Sequence, residues 1–114
     1  MDRCIFCDVI AGRVPARIVH RDELVVAFED IHPQAPVHIL VVPARHVASL
    51  NDTGPDDAPL LGSLLATARA LARARGAEAK GYRLVVNTMA GAGQTVFHLH
   101  VHLLAGRPFS WPPG

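Results

Sequence analysis

The sequence has no excess charge of either sign. Its 11 Lys and Arg balance 10 Asp and Glu over 114 residues. It also carries no basic block of the kind that marks nucleic-acid or membrane patches, so no polymeric nucleic acid is expected as a partner. Long hydrophobic runs are missing too. Nothing approaches the roughly 18 apolar residues of a spanning helix, and Asp2 and Asp8 stand where a signal peptide would be basic and then apolar. The expectation is a cytoplasmic protein with no membrane contact. Cysteine is limited to Cys4 and Cys7; a Cys-x-x-Cys in a reducing compartment points to metal or redox chemistry and not to a disulfide scaffold. Against these shortages stand seven histidines.

Half of the residues are hydrophobic, so the chain is expected to fold, and its length suits one domain spanning residues 1–114. Apolar residues at helical spacing between Cys4 and Ala11, with Gly12 as a stop, predict a short helix. Ile18 to His20 and Leu24 to Phe28 read as a hairpin around a weak Arg21-Asp22-Glu23 turn, and His38 to Val42 as a buried strand ending at Pro43. Leu50 to Pro59 reads as a loop. It leads into the clearest helix, where Leu60, Leu61, Leu64, Leu65, Ala68, Leu71 and Ala72 form one apolar stripe and Gly76 offers a stop. Arg69, Arg73 and Arg75 read as its solvated face. Tyr82 to Asn87 is a strand, Ala90 to Gln94 a glycine-containing loop, Phe97 to Leu104 a final strand, and Pro108 to Gly114 an extended tail. Three strands, a long helix and two strands favour an α+β fold with an antiparallel sheet.

Within His98-Leu99-His100-Val101-His102-Leu103-Leu104 the histidines recur at every second residue, so an extended strand puts three imidazoles on one face. A single such histidine is usually a satisfied core or surface residue. Three in register imply proton traffic, nucleophilic chemistry or a metal, because imidazole titrates near neutrality and ligates well. Just before them, Gly91-Ala92-Gly93-Gln94-Thr95 brings small residues whose backbone N–H groups, with the Thr95 hydroxyl, suit an anion. A phosphate there would lie within reach of an imidazole nucleophile. The cysteine pair admits three readings at this level: buried small hydrophobes, a redox pair, or half of a metal site.

The alternating histidine segment resembles the signature of the histidine triad (HIT) family of nucleotide hydrolases and transferases. The likeness extends through Phe28-Glu29-Asp30-Ile31, Pro33-Gln34-Ala35-Pro36, His38-Ile39-Leu40-Val41-Val42-Pro43, Gly81-Tyr82-Arg83, Val86-Asn87 and Gly93-Gln94-Thr95-Val96 to the terminal Trp111-Pro112-Pro113-Gly114. That terminus is most similar to the histidine triad nucleotide-binding proteins, homodimeric nucleoside phosphoramidases.

The resemblance implies a HIT-like fold, a five-stranded antiparallel sheet with two helices, extended across a homodimer. It implies hydrolysis of purine nucleoside 5′-phosphoramidates through a nucleotidyl-histidine on His100, with His102 and His38 around the nucleophile and phosphate. Gly93 and Thr95 would contact phosphate oxygens, Asn87 the ribose-phosphate edge and Asp30 the ribose hydroxyls. Phe6, Val9, Val14 and Ile31 would form the slot for the base. Several proteins of this appearance bind zinc through positions matching Cys4, Cys7, His46 and His98, which implies a structural zinc and no cofactor required for catalysis. Glu29 and His32 depart from the phosphoramidase branch at places able to alter base preference or pH response. Dinucleoside polyphosphate hydrolysis is the alternative activity. A zinc-stabilised nucleotide-binding protein without a catalytic role is the alternative of another class.

Overall fold

The computed structural model describes residues 4–114; Asp2 lies outside them. Helix α1 spans Ile5–Ile10 and is followed by β1 (Ile18–Arg21), β2 (Val25–Glu29) and β3 (Val37–Pro43). Helix α2 (Ala58–Ala74), β4 (Tyr82–Val85) and β5 (Val101–Ala105) complete the chain. The strands form one sheet in the order β1-β2-β3-β5-β4, every pairing antiparallel. This is the five-stranded antiparallel sheet with two helices that the sequence implies.

Both faces of the central strands are covered, so β2 and β3 read as continuous apolar runs instead of alternating ones. On one face Val25, Ala27, Ile39, Val41, Leu103 and Ala105 pack under α2 through Leu60, Leu64, Ala68 and Ala72. Ala68 and Ala72 are fully buried, and side chains this small let the helix lie close on the sheet. On the other face Val26, Phe28, Leu40 and Val42 meet Phe6 and Val9 of α1. Six residues are too few for an isolated helix, so α1 depends on this contact and on its N-cap, where Cys4 Sγ accepts the Cys7 N–H at 3.4 Å.

Several element boundaries differ from expectation for identifiable reasons. The β1–β2 turn is not weak, since Asp22 Oδ1 accepts the N–H groups of Leu24 and Val25 at 2.8 and 2.9 Å, an Asx-type turn. Residues 50–59 contain two 3-10 turns, Leu50–Asp52 and Pro55–Asp57, the first closed by a Ser49–Asp52 capping box. Helix α2 ends in a Schellman motif: Ala77 N–H reaches Ala72 O and Gly76 N–H reaches Arg73 O, with Gly76 at φ +73°. Leu65 does not join the apolar stripe, being 51% exposed. The arginine face is not purely solvated either, because Arg75 bonds Glu29 at 3.0 Å and Arg73 bonds Glu78 at 2.7 Å. Strand β4 stops at Val85, two residues short of Asn87.

Candidate active site

The paired part of the last strand starts at Val101, so only His102 of the three alternating histidines lies in the ladder, and the expected strand from Phe97 is corrected accordingly. Alternation survives without pairing. Leu99, Val101 and Leu103 enter the core under α2, while Phe6 on the opposite face meets the rings of His98 and His100 edge-on, at centroid distances of 6.0 and 5.2 Å. Residues 98–99 are held by other bonds: Leu99 N–H donates to Val47 O at 2.7 Å, and the His98 ring Nε2–H to Pro43 O at 2.9 Å.

His100 is buried, and its Nδ1 lies 2.7 Å from the carbonyl oxygen of His98. A carbonyl only accepts, so Nδ1 carries the hydrogen and the neutral ring keeps its lone pair on Nε2, the state required of a nucleophile. The His102 ring lies 4.9 Å away, centre to centre. His102 Nδ1 is 2.9 Å from Nε2 of the buried His38, and Asp30 Oδ2 approaches that same Nε2 at 3.5 Å. Burial pulls His38 below the ordinary histidine range, against the opposing effect of Asp30. Burial, reinforced by His100 and His38, lowers His102 to about 4.

A cavity of about 320 Å³ adjoins this cluster, and Phe6, Val9, Val14, Asp30, Ile31 and Thr95 all line it. Its size suits a small ligand. Ile31 is 78% exposed, an apolar side chain at the mouth and not a core residue. Glu29 and His32 also border the cavity, with Glu29 held by Arg17 and Arg75 at 3.3 and 3.0 Å. Asn87 and Gly93 are not among the lining residues. Gly93 instead caps a 3-10 turn, Ala90–Ala92, in the left-handed conformation. Gln94, which the sequence offers only as a loop residue, is 3% exposed and staples this loop. Its Oε1 accepts the Met89 N–H at 2.8 Å, and its Nε2 donates to Ala48 O and Val96 O at 2.8 and 3.1 Å. Its one visible signal was a long polar side chain within a run of small residues.

Beyond His100, Cys4, Cys7, His46 and His98 bring one ligand atom each within 4.8 Å of one another. His98 Nδ1 lies 3.3 Å from Cys4 Sγ, 3.5 Å from Cys7 Sγ and 3.3 Å from His46 Nδ1. Cys7 Sγ lies 3.4 Å from His46 Nδ1. A tetrahedron built on Zn–S of about 2.3 Å and Zn–N of about 2.0–2.1 Å has N–N and N–S edges of about 3.3–3.6 Å, so the donor set fits zinc. The Pro43 carbonyl fixes the His98 hydrogen on Nε2 and turns the Nδ1 lone pair into the set. Burial and the neighbouring Cys4 push the Cys7 thiol up to about 11.

The HIT domain family model matches residues 11–109. The chain is 42% identical over 107 residues to the purine nucleoside phosphoramidase of Escherichia coli, a match covering 94% of this chain and 90% of that protein. Its structure resembles the crystal structure of a HIT family hydrolase from Legionella pneumophila, with a TM-score of 0.96 at 48% identity over 98% of this chain and 100% of that one. A zinc-bound histidine triad family protein from Mycobacterium smegmatis is similar with a TM-score of 0.81 at 34% identity, over 91% of this chain and 75% of that one.

Proposed function

Because the chain belongs to the HIT domain family, we propose that it hydrolyses purine nucleoside 5′-phosphoramidates to the nucleoside monophosphate and a free amine. The observation that carries this reading is the buried His100, its hydrogen held by the His98 carbonyl, beside a cavity whose apolar wall ends in a carboxylate, Asp30. The 42% identity to a purine nucleoside phosphoramidase supports the same substrate class.

In this reading Phe6, Val9, Val14 and Ile31 hold the base, Asp30 accepts the ribose hydroxyls, and Asn87, Gly93 and Thr95 meet the phosphate. His100 Nε2 attacks the α-phosphorus. The P–N bond breaks, its electron pair stays on nitrogen, and the amine leaves with an added proton that ultimately comes from water. Water then attacks phosphorus, breaking the bond to His100 and restoring its Nε2 lone pair, and the proton it gives up makes good the one the amine took, so one water is consumed in all. His102 and His38 serve as the hydrogen-bonded set beside the phosphoryl group. Cys4, Cys7, His46 and His98 would hold a zinc ion, whose four protein ligands leave no open position, so its contribution is structural.

The working unit proposed is one domain, residues 1–114, assembled as a homodimer that joins two sheets into one; β1 and β4 are the edge strands of the sheet. A cytoplasmic location accords with the free thiols of Cys4 and Cys7. Among the described residues no helix is long and apolar enough to cross a membrane.

One observation favours dinucleoside polyphosphates as a second substrate class. A cavity of about 440 Å³ bordered by Cys4, His46 and Phe97 shares Ile5, Thr95 and Val96 with the first, offering space for a second nucleoside. The test is kcat/KM for adenosine 5′-phosphoramidate against a diadenosine polyphosphate, with wild type and His100→Ala. A preference for the phosphoramidate, abolished in the variant, is expected. The reverse preference moves the function to the second class, and binding of adenosine monophosphate without turnover of either substrate would leave a nucleotide-binding role.

A further inference from the structure

The root of the C-terminal tail reaches back to the Pro33–Pro36 connection that precedes β3. Arg107 Nε–H donates to Gln34 O at 2.9 Å, and a second guanidinium nitrogen is tied to Pro108 O at 3.0 Å. Gly106, at φ +94°, lies so close that a Cβ there would sit 2.8 Å from Pro36 Cβ. With a proline at each end, this connection has little freedom of its own, and the 106–107 contacts remove more.

What the clamped connection presents to the site is one hydrogen. Gln34 N–H donates to His38 Nδ1 at 3.0 Å. A backbone N–H can only donate, so the neutral His38 ring carries its hydrogen on Nε2. That hydrogen points to His102 Nδ1 at 2.9 Å, which places the His102 hydrogen on Nε2 in turn. Both lone pairs of the two rings are then occupied, and a further proton cannot be taken up without breaking a bond. The ionisable groups facing the pair are Asp30, a competing acceptor at 3.5 Å, and His100, 4.9 Å from the His102 ring.

We propose that Gly106 and Arg107, acting through Gln34, are positioning residues that lock the His38–His102 pair in one neutral tautomer, making His102 Nε2–H a fixed hydrogen-bond donor to the phosphoryl oxygen instead of a proton-exchanging acid. A neutral imidazole donor needs no reorganisation as charge builds on oxygen. Burial acts in the same direction, holding both rings below the ordinary histidine range. The phosphoryl partner rests on the proposed function; the tautomer does not.

The test uses the full chain labelled with [15N]histidine, followed by NMR between about pH 5.5 and 8. Both rings are expected to show bare Nδ1 and protonated Nε2 throughout. Gln34→Pro deletes the N–H itself; Arg107→Met, on an exposed side chain, frees the Gln34 carbonyl, together with the Pro108 oxygen and the Phe109 ring that the guanidinium also touches, and guards against a folding defect. Gln34→Pro should lose the single tautomer and at least about tenfold in kcat for adenosine 5′-phosphoramidate, with KM changed less than about twofold. Arg107→Met should fall between that variant and wild type, with Arg107→Lys recovering part of the loss. The proposal is overturned if either ring titrates in that range in wild type, if it carries its proton on the other nitrogen, or if both variants match wild type. A locked pair in wild type that is released in Gln34→Pro, with no phosphoramidate turnover, would support the lock and reject the proposed substrate.

Discussion

The carbonyl oxygen of His98 holds the Nδ1 hydrogen of His100 at 2.7 Å, while the His98 ring faces away into the cysteine–histidine set. One residue thus faces both His100, through its backbone, and the candidate metal site, through its side chain. Helix α1 spans the same two features, since Cys4 and Cys7 flank Phe6, whose ring covers His100 at 5.2 Å.

Metal binding should therefore be visible as stability. Zinc at about 100 times its dissociation constant is expected to add about 2.7 kcal/mol to unfolding. His46→Ala, which removes an exposed ligand and little packing, should abolish most of that gain. Metal content and denaturant unfolding with and without zinc check both statements, and an equal zinc response in the variant would contradict them.

Acid should destabilise the fold above the carboxylate range. The native His102 ring stays neutral down to about 4, whereas an unfolded histidine takes up its proton near 6.5. Between those values the unfolded chain binds more protons, so stability falls as pH falls, and the downward shift of His38 adds to the effect. Melting temperature should drop from about pH 6.5 towards 4. His102→Asn should show a shallower slope; identical slopes would refute the assignment.

The hairpin turn offers a stability test separate from the site. Asp22→Ala removes the acceptor for two backbone N–H groups and the bond to His20 at 2.7 Å. A loss of about 1–2 kcal/mol is expected with kcat/KM unchanged. Denaturant unfolding alongside a turnover assay reads both.

Truncation of Trp111 to Gly114 should spare monomer stability to within about 0.5 kcal/mol, because Trp111 is 84% exposed. The expected change is in subunit association or in the preference between substrates. Light scattering and paired kcat/KM values test it, and unchanged mass and kinetics would reject a role for the tail.

Much of this arrangement was legible where chemistry repeats along the chain. The period-two histidines were enough to put three rings on one face even though pairing begins only at Val101. The α2 stripe located the helix, and Gly76 its end. Contacts joining distant segments left no periodic trace. Arg107 and Gln34 are 73 residues apart, and Gln94 looks solvent-facing until its amide is seen between Met89, Ala48 and Val96. Leu65 obeys the helical pattern yet remains exposed, because spacing reports a helix face and not what covers it.

The central claim is that His100 Nε2 forms a bond to phosphorus. Its most direct measurement is the intact mass of the protein quenched in alkali during turnover of adenosine 5′-phosphoramidate. One adenylyl group carried by wild type and absent from His100→Ala is the predicted result. Turnover without any adduct, or an adduct that persists in His100→Ala, would contradict it.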